Sequence, residues 1–229
     1  MTYSRSEPTK SRKSRQTDPS SGCLSGFLIP PLIALGFGLL LAIATGGLKT
    51  QDFQSPVHAA SGDGTLAPFF TPEIQFWAEN INRWAAESGV DKNLAATVMQ
   101  IESCGNPDAR SSAGASGLFQ VMPFHFYVYE NAYDPDINAQ RGMDYLAKSL
   151  ERSGGDARMA LAGYNGGISV IGISESAWAA ETIRYAYWGS GIYADAVQNV
   201  SESPRLNEGL AAGGASLCRA ARQRLGIIP

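Results

Sequence analysis

Residues 91–105, Asp-Lys-Asn-Leu-Ala-Ala-Thr-Val-Met-Gln-Ile-Glu-Ser-Cys-Gly, place the tightest constraint on this chain, because they set a carboxylate on an apolar stripe. Asp91 is a favourable N-cap and Gly105 stands just past the last periodic residue, so the segment reads as one helix. Leu94, Val98 and Glu102 fall four apart and therefore share a face. Withdrawal from water and the negative end of the helix dipole both disfavour an ionised carboxyl there, so its pKa should rise. A general acid working near neutral pH requires such a shift. A salt-bridged glutamate closing a helix would satisfy the same pattern.

The rest of the domain carries the same period. After Thr71-Pro72, a cap with proline at the first helical position, Ile74, Trp77, Ile81 and Trp84 recur at helical spacing and read as core. Further helices are expected over 137–153, 157–164, 176–187 and 215–225, with Met143, Leu146 and Leu150 as the buried stripe of the first. There is no sustained two-residue alternation and no internal repeat, so the fold class is mainly α.

The stretch Glu102-Ser-Cys-Gly-Asn-Pro-Asp-Ala-Arg-Ser-Ser-Ala-Gly-Ala-Ser-Gly-Leu-Phe-Gln-Val-Met-Pro123 resembles the soluble lytic transglycosylase (SLT) family, lysozyme-like enzymes that cleave peptidoglycan. It fills every fixed place of the pattern E-S-x-x-N-P-x-A-x-S-x-x-G-A-x-G-L-x-Q-x-M-P. Ala162-Gly163-Tyr164-Asn165-Gly166-Gly167 is similar to the family's A-Y-N-A-G, with one glycine inserted before the tyrosine and another replacing the alanine. Glu181-Thr-Ile-Arg-Tyr185 is similar to the E-T-x-x-Y that closes the family's domain.

The resemblance implies a lysozyme-like (SLT-type) helical domain with Glu102 as catalytic acid. By the same resemblance Ser111 and Gln120 line the cleft, Tyr164 and Asn165 add a stacking face and an amide, and Tyr185 orients the acid. Met122 offers an adaptable apolar surface under a sugar ring, although core packing would serve it and Tyr164 equally well. Gly114 and Gly117, lacking a Cβ, would let the backbone approach a bulky glycan.

Glycosidases usually pair two carboxyl groups. The acids downstream, Asp108, Asp134, Asp136 and Asp144, read instead as turn formers and solvated charges. A lone Glu102 would then act twice. It would protonate the glycosidic oxygen of the MurNAc–GlcNAc β-1,4 bond and next take the proton of the muramic acid 6-hydroxyl, closing a 1,6-anhydro ring. A muramidase that admits water and a non-catalytic wall-binding scaffold are the competing expectations.

The N-terminal part reads as an anchor. Residues 1–22 are a disordered tail with five basic side chains, Arg5, Lys10, Arg12, Lys13 and Arg15. Residues 23–48 hold no charge and read as a transmembrane helix, or as a signal sequence cleaved near Ala44. Basic residues before it place the N-terminus in the cytoplasm and the catalytic domain outside the bacterial cell membrane. A flexible linker is expected over 49–70, the lytic transglycosylase domain over 71–200, and a C-terminal helical extension over 201–229.

Cys104 and Cys218 could form a disulfide in that compartment, the alternative for Cys104 being a small buried hydrophobe. With His58 and His125 the only histidines, neither a His-rich metal site nor a Ser-His-Asp triad is expected, and no metal or cofactor is called for. Beyond residue 48 the chain keeps 13 of its 18 basic and 19 of its 21 acidic side chains, which argues against nucleic acid as partner. The expected partners are peptidoglycan glycan strands and, through the N-terminal helix, the membrane.

Overall fold

Helix signals in the sequence translate directly into caps. In the computed structural model, which describes residues 65–228, the α-helices are α1 (Pro72–Gln75), α2 (Ala78–Ser88), α3 (Lys92–Glu102), α4 (Pro135–Arg152), α5 (Ala157–Gly166), α6 (Ala180–Val197), α7 (Pro204–Gly209) and α8 (Ala215–Leu225). Asp91, Asp134, Asp156 and Ser203 each accept a backbone N–H from the first turn they precede, which satisfies donors a helix start leaves unpaired. Proline occupies the first turn of α1, α4 and α7. No strand forms among the described residues; two isolated bridges, Arg110 to Ser116 and Ser116 to Val121, fold the loop after α3.

Burial follows the expected stripes. Ile74, Trp77, Ile81 and Trp84 are all buried, as are Leu94 and Val98 on the line leading to Glu102. Met143 and Leu146 of α4 join them, while Leu150 is partly buried against the same core. Helix α5 packs between α4 and α6, and α3 rests on α6. The glycine inserted in the second motif has a packing reason. A Cβ on Gly163 would stand 2.5 Å from Ile171 Cδ1, so glycine lets the Ile171 side chain pack directly on α5.

The basic tail, the membrane-spanning or signal segment and the linker through residue 64 lie outside the described residues. No helix among the described residues is long and apolar enough to cross a membrane. The linker itself ends sooner than the sequence implied. Leu66, Ala67 and Phe70 are buried in the core, and Asn93 Oδ1 accepts the Ala67 N–H at 3.1 Å. Their apolar side chains, in a stretch read as Ser/Gly/Pro-rich, are what bind it to α3.

Helix α6 starts at Ala180 rather than near residue 176. Trp178 is buried and donates its indole N–H to Val170 O at 3.2 Å, which holds the preceding residues as a separate short turn. The segment 201–229 carries helices α7 and α8. Leu206 of α7, a helix the sequence did not reveal, is buried, and α8 is fastened to both α1 and α3. Arg222 Nε donates to the fully buried Glu73 carboxylate at 2.6 Å, and Cys104 and Cys218 are joined in a disulfide.

That bond closes 114 residues of chain, so it removes much entropy from the unfolded state. Cys218→Ser should cost about 2–5 kcal/mol in urea unfolding. Thiol titration of the non-reduced, denatured full chain should find Cys23 alone; reactive thiols at Cys104 and Cys218 would contradict the pairing.

Candidate active site

Glu102 is the last residue of α3, where the helix gives way to a loop pinned from several sides. Ser103 Oγ, fully buried, donates to Leu118 O at 2.7 Å and accepts the Gly105 N–H at 3.1 Å. Trp77 donates its indole N–H to Gly105 O at 2.9 Å, and Cys104, at φ 53°, carries the disulfide. The acid is thus held by its backbone rather than by a side-chain partner of its own. Its side chain is half-buried among α3, α5 and α6.

That setting decides its chemistry. Desolvation, opposed by the Tyr185 hydroxyl and helped by the negative charge of Glu181, brings the Glu102 carboxyl pKa up to about 8. Tyr185 is buried and its hydroxyl has no other partner, while toward Glu102 it acts as a hydrogen-bond donor that favours the charged carboxylate. Tyr164 is also close enough to feel the acid; burial first and then Glu102 raise its own pKa. Its hydroxyl donates to Phe119 O at 2.8 Å.

The remaining motif residues divide between this centre and the loop that frames it. Asn165 Oδ1 accepts from Thr182 Oγ1 at 2.9 Å, so the second and third motifs are joined by one hydrogen bond. Ser111 Oγ accepts the Ala115 N–H at 3.0 Å. Gln120, at φ 47°, spends its amide N–H groups on Ala109 O (3.1 Å) and Gly117 O (3.0 Å), which leaves its carbonyl oxygen uncommitted by them. Met122 is half-buried at the end of the same loop. Gly117 has φ 76°, and a Cβ there would meet Asn138 Nδ2 at 2.3 Å, so its freedom serves the loop's own closure.

Asn138 and Ser103 were not foreseen as site-forming. Asn138, buried in α4, donates to Ser116 O at 2.8 Å and Ala132 O at 2.9 Å and accepts the Phe119 N–H at 2.8 Å. A polar side chain on an otherwise apolar helix face was the available signal. Of the downstream acids, Asp134 caps α4, Asp136 binds Arg83 and Trp84, and Asp144 and Asp108 face Arg141 and Arg224. The second carboxylate that bears on Glu102 is Glu181, in the first turn of α6. The Glu73, Cys104 and Cys218 side chains lie together, but with both sulfurs in a disulfide they offer no thiolate to a metal.

Comparison with known proteins follows the motifs. Residues 79–184 match the family model described as the transglycosylase SLT domain. A transglycosylase of Enterobacteria phage PRD1 is 39% identical over 114 residues, covering 49% of this chain and 40% of the phage protein. The membrane-bound lytic murein transglycosylase E of Buchnera aphidicola is 31% identical over 86 residues, covering 32% of this chain and 41% of that one. The chain therefore spans about two fifths of the length of these relatives. A solved structure of the lytic transglycosylase Slt from Pseudomonas aeruginosa aligns at 23% identity with a TM-score of 0.45, over 58% of this chain and 26% of that chain.

The raised pKa has a consequence for stability. Between the ordinary carboxyl value of 4.5 and about 8 the folded chain binds a proton at Glu102 that the unfolded chain has released. Stability from this group is therefore present in full at acid pH and is lost as pH rises through that window. Glu102→Gln removes the penalty, so its melting temperature should exceed that of the wild type by a few degrees at pH 8 and by little at pH 4. Equal differences at both pH values in thermal melts would contradict the burial of this acid.

Proposed function

We propose that this chain is a peptidoglycan lytic transglycosylase that cleaves the MurNAc–GlcNAc β-1,4 bond with Glu102 as both acid and base. The observation that carries the reading is the half-buried Glu102 with its pKa near 8, at the head of a complete family motif. At neutral pH such a group is mostly protonated and can deliver its proton to the glycosidic oxygen. As the C1–O4 bond breaks, the substrate's acetamido group stabilises the cationic C1 centre. Glu102, now anionic, takes the proton of the muramic acid 6-hydroxyl, and the C1–O6 bond closes the anhydro ring. The Tyr185 hydroxyl is well disposed to stabilise the anion between these two steps. Tyr164 and Met122 would flank the sugar, with Ser111, Gln120 and Asn165 shaping the cleft.

We infer further that the domain works outside the cytoplasm, tethered by the apolar segment within residues 23–48. The charge pattern of that segment and the Cys104–Cys218 disulfide support this, since such bonds persist in oxidising compartments.

Digestion of purified glycan strands tests the reaction. The products should carry an end lighter by one water than a reducing sugar and inert to borohydride; reducible ends would point to a muramidase. Glu102→Gln should lower kcat by at least about 100-fold, and unchanged lysis would remove the enzyme assignment. Because the proton must be on Glu102 to be given, kcat/KM should fall about tenfold per pH unit above about 8. A profile flat from pH 6 to 10 would refute Glu102 as the acid.

A further inference from the structure

The loop between the motif loop and α4 plays no part in the reaction above, yet it displays the most exposed large apolar side chains near the site. Phe124 is 76% exposed, Tyr129 84% and Val128 fully so, with Tyr127 also exposed. Such a display costs contact with water and marks a binding surface when it is contiguous. The loop is also stiff. Glu130 accepts the Tyr127 N–H at 2.9 Å and the Arg141 Nε–H at 3.0 Å. The Arg141 guanidinium lies 4.5 Å over the Tyr127 ring, and Tyr129 stacks on that ring at 5.6 Å, 15° from parallel. Preorganisation of this kind removes the ordering cost of binding.

The loop is joined to the acid by a row of rings. Phe124 and His125 have centroids 4.5 Å apart, His125 and Tyr145 4.7 Å, and Tyr145 and Tyr164 5.8 Å. His125, Tyr145 and Tyr164 are each half-buried. It ends beside Glu102, through Tyr164.

We propose that Phe124, backed by His125 and Tyr145, forms a distal saccharide subsite that grips the glycan strand away from the bond being cut. Pyranose rings present flat C–H faces, and aromatic rings bind such faces with their electron-rich surfaces. Continuity with the acid is what favours a glycan over a lipid surface, for which a row of rings leading inward has no use. The subsite rests on the transglycosylase reading, and it makes long strands better ligands than short ones.

Binding measured on the full chain in detergent, in a Glu102→Gln background that prevents turnover, tests it. Peptide-free glycan strands of many disaccharides are compared with a tetrasaccharide. Phe124→Ala should weaken long-strand affinity about tenfold and tetrasaccharide affinity less than about twofold, with Phe124→Trp retaining long-strand affinity. With a side chain so exposed, the Ala variant should melt within a few degrees of the wild type. Unchanged long-strand binding, or equal loss for both lengths, overturns the subsite. So does extra quenching of Phe124→Trp over wild type by brominated lipid in proteoliposomes, which would assign the loop to a bilayer. Should the wild type leave strands uncut while Phe124→Ala still loses long-strand affinity, the reaction fails and the subsite stands.

Discussion

Desolvation of one carboxyl group at the end of α3 sets the terms for the elements around it. An ionised glutamate there would have to give up much of its hydration, so the fold keeps it protonated by denying it a cationic partner. No lysine or arginine stands among the groups that shift it; Glu181 and Tyr185 do. The contrast with Glu73 is instructive. That carboxylate is fully buried, but it has Arg222 against it and lies where α1 meets α8, beside the Cys104–Cys218 disulfide. One buried acid has been matched with a charge and serves architecture; the other has been left without one.

Holding an unpartnered acid in place demands that its neighbours be fixed by other means. The residues just beyond it are tied to three distant segments: Ser103 to the motif loop, Cys104 to α8, and Gly105 to α2 through Trp77. The loop itself is closed by Asn138 from α4, whose amide bridges Ser116, Ala132 and Phe119. Tyr164 then reaches the same Phe119 carbonyl from α5, and Thr182 of α6 holds Asn165. The three motifs meet because hydrogen bonds from outside the acid draw them together.

How much of this could be read from the chain depends on the range of the interaction. Caps and apolar periods are local, so α8 had the boundaries its sequence implied, α3 began after Asp91 as expected though it ended at Glu102, short of Gly105, and Ile74, Ile81 and Trp84 went into the core. Glu102 was legible for the same reason: its stripe is set by helix geometry alone. What escaped were matters of tertiary pairing. Ser103 looked like a helix terminator, and nothing nearby reveals that Leu118 O awaits it. The delayed start of α6 depends on where the Trp178 ring finds a pocket, and the burial of Leu66 and Phe70 on a surface made by α3. Glycines of the motifs read as room for substrate, whereas Gly117 makes room for Asn138.

A single group that must give a proton and then take one faces opposing demands, and the surroundings of Glu102 bear on both in the proposed reaction. Burial and Glu181 hold the proton on the carboxyl before the bond breaks, which serves the donating step. After donation the anion would be stranded in the same poorly hydrated place. Tyr185 answers that difficulty: its hydroxyl is buried, carries no other hydrogen bond, and acts on Glu102 in the direction that favours the charged form. A hydroxyl already committed elsewhere could not turn to the anion without breaking a bond. In the proposed reaction, a hydroxyl committed to no third group would let one carboxyl serve as acid first and base second, with no second carboxylate as nucleophile.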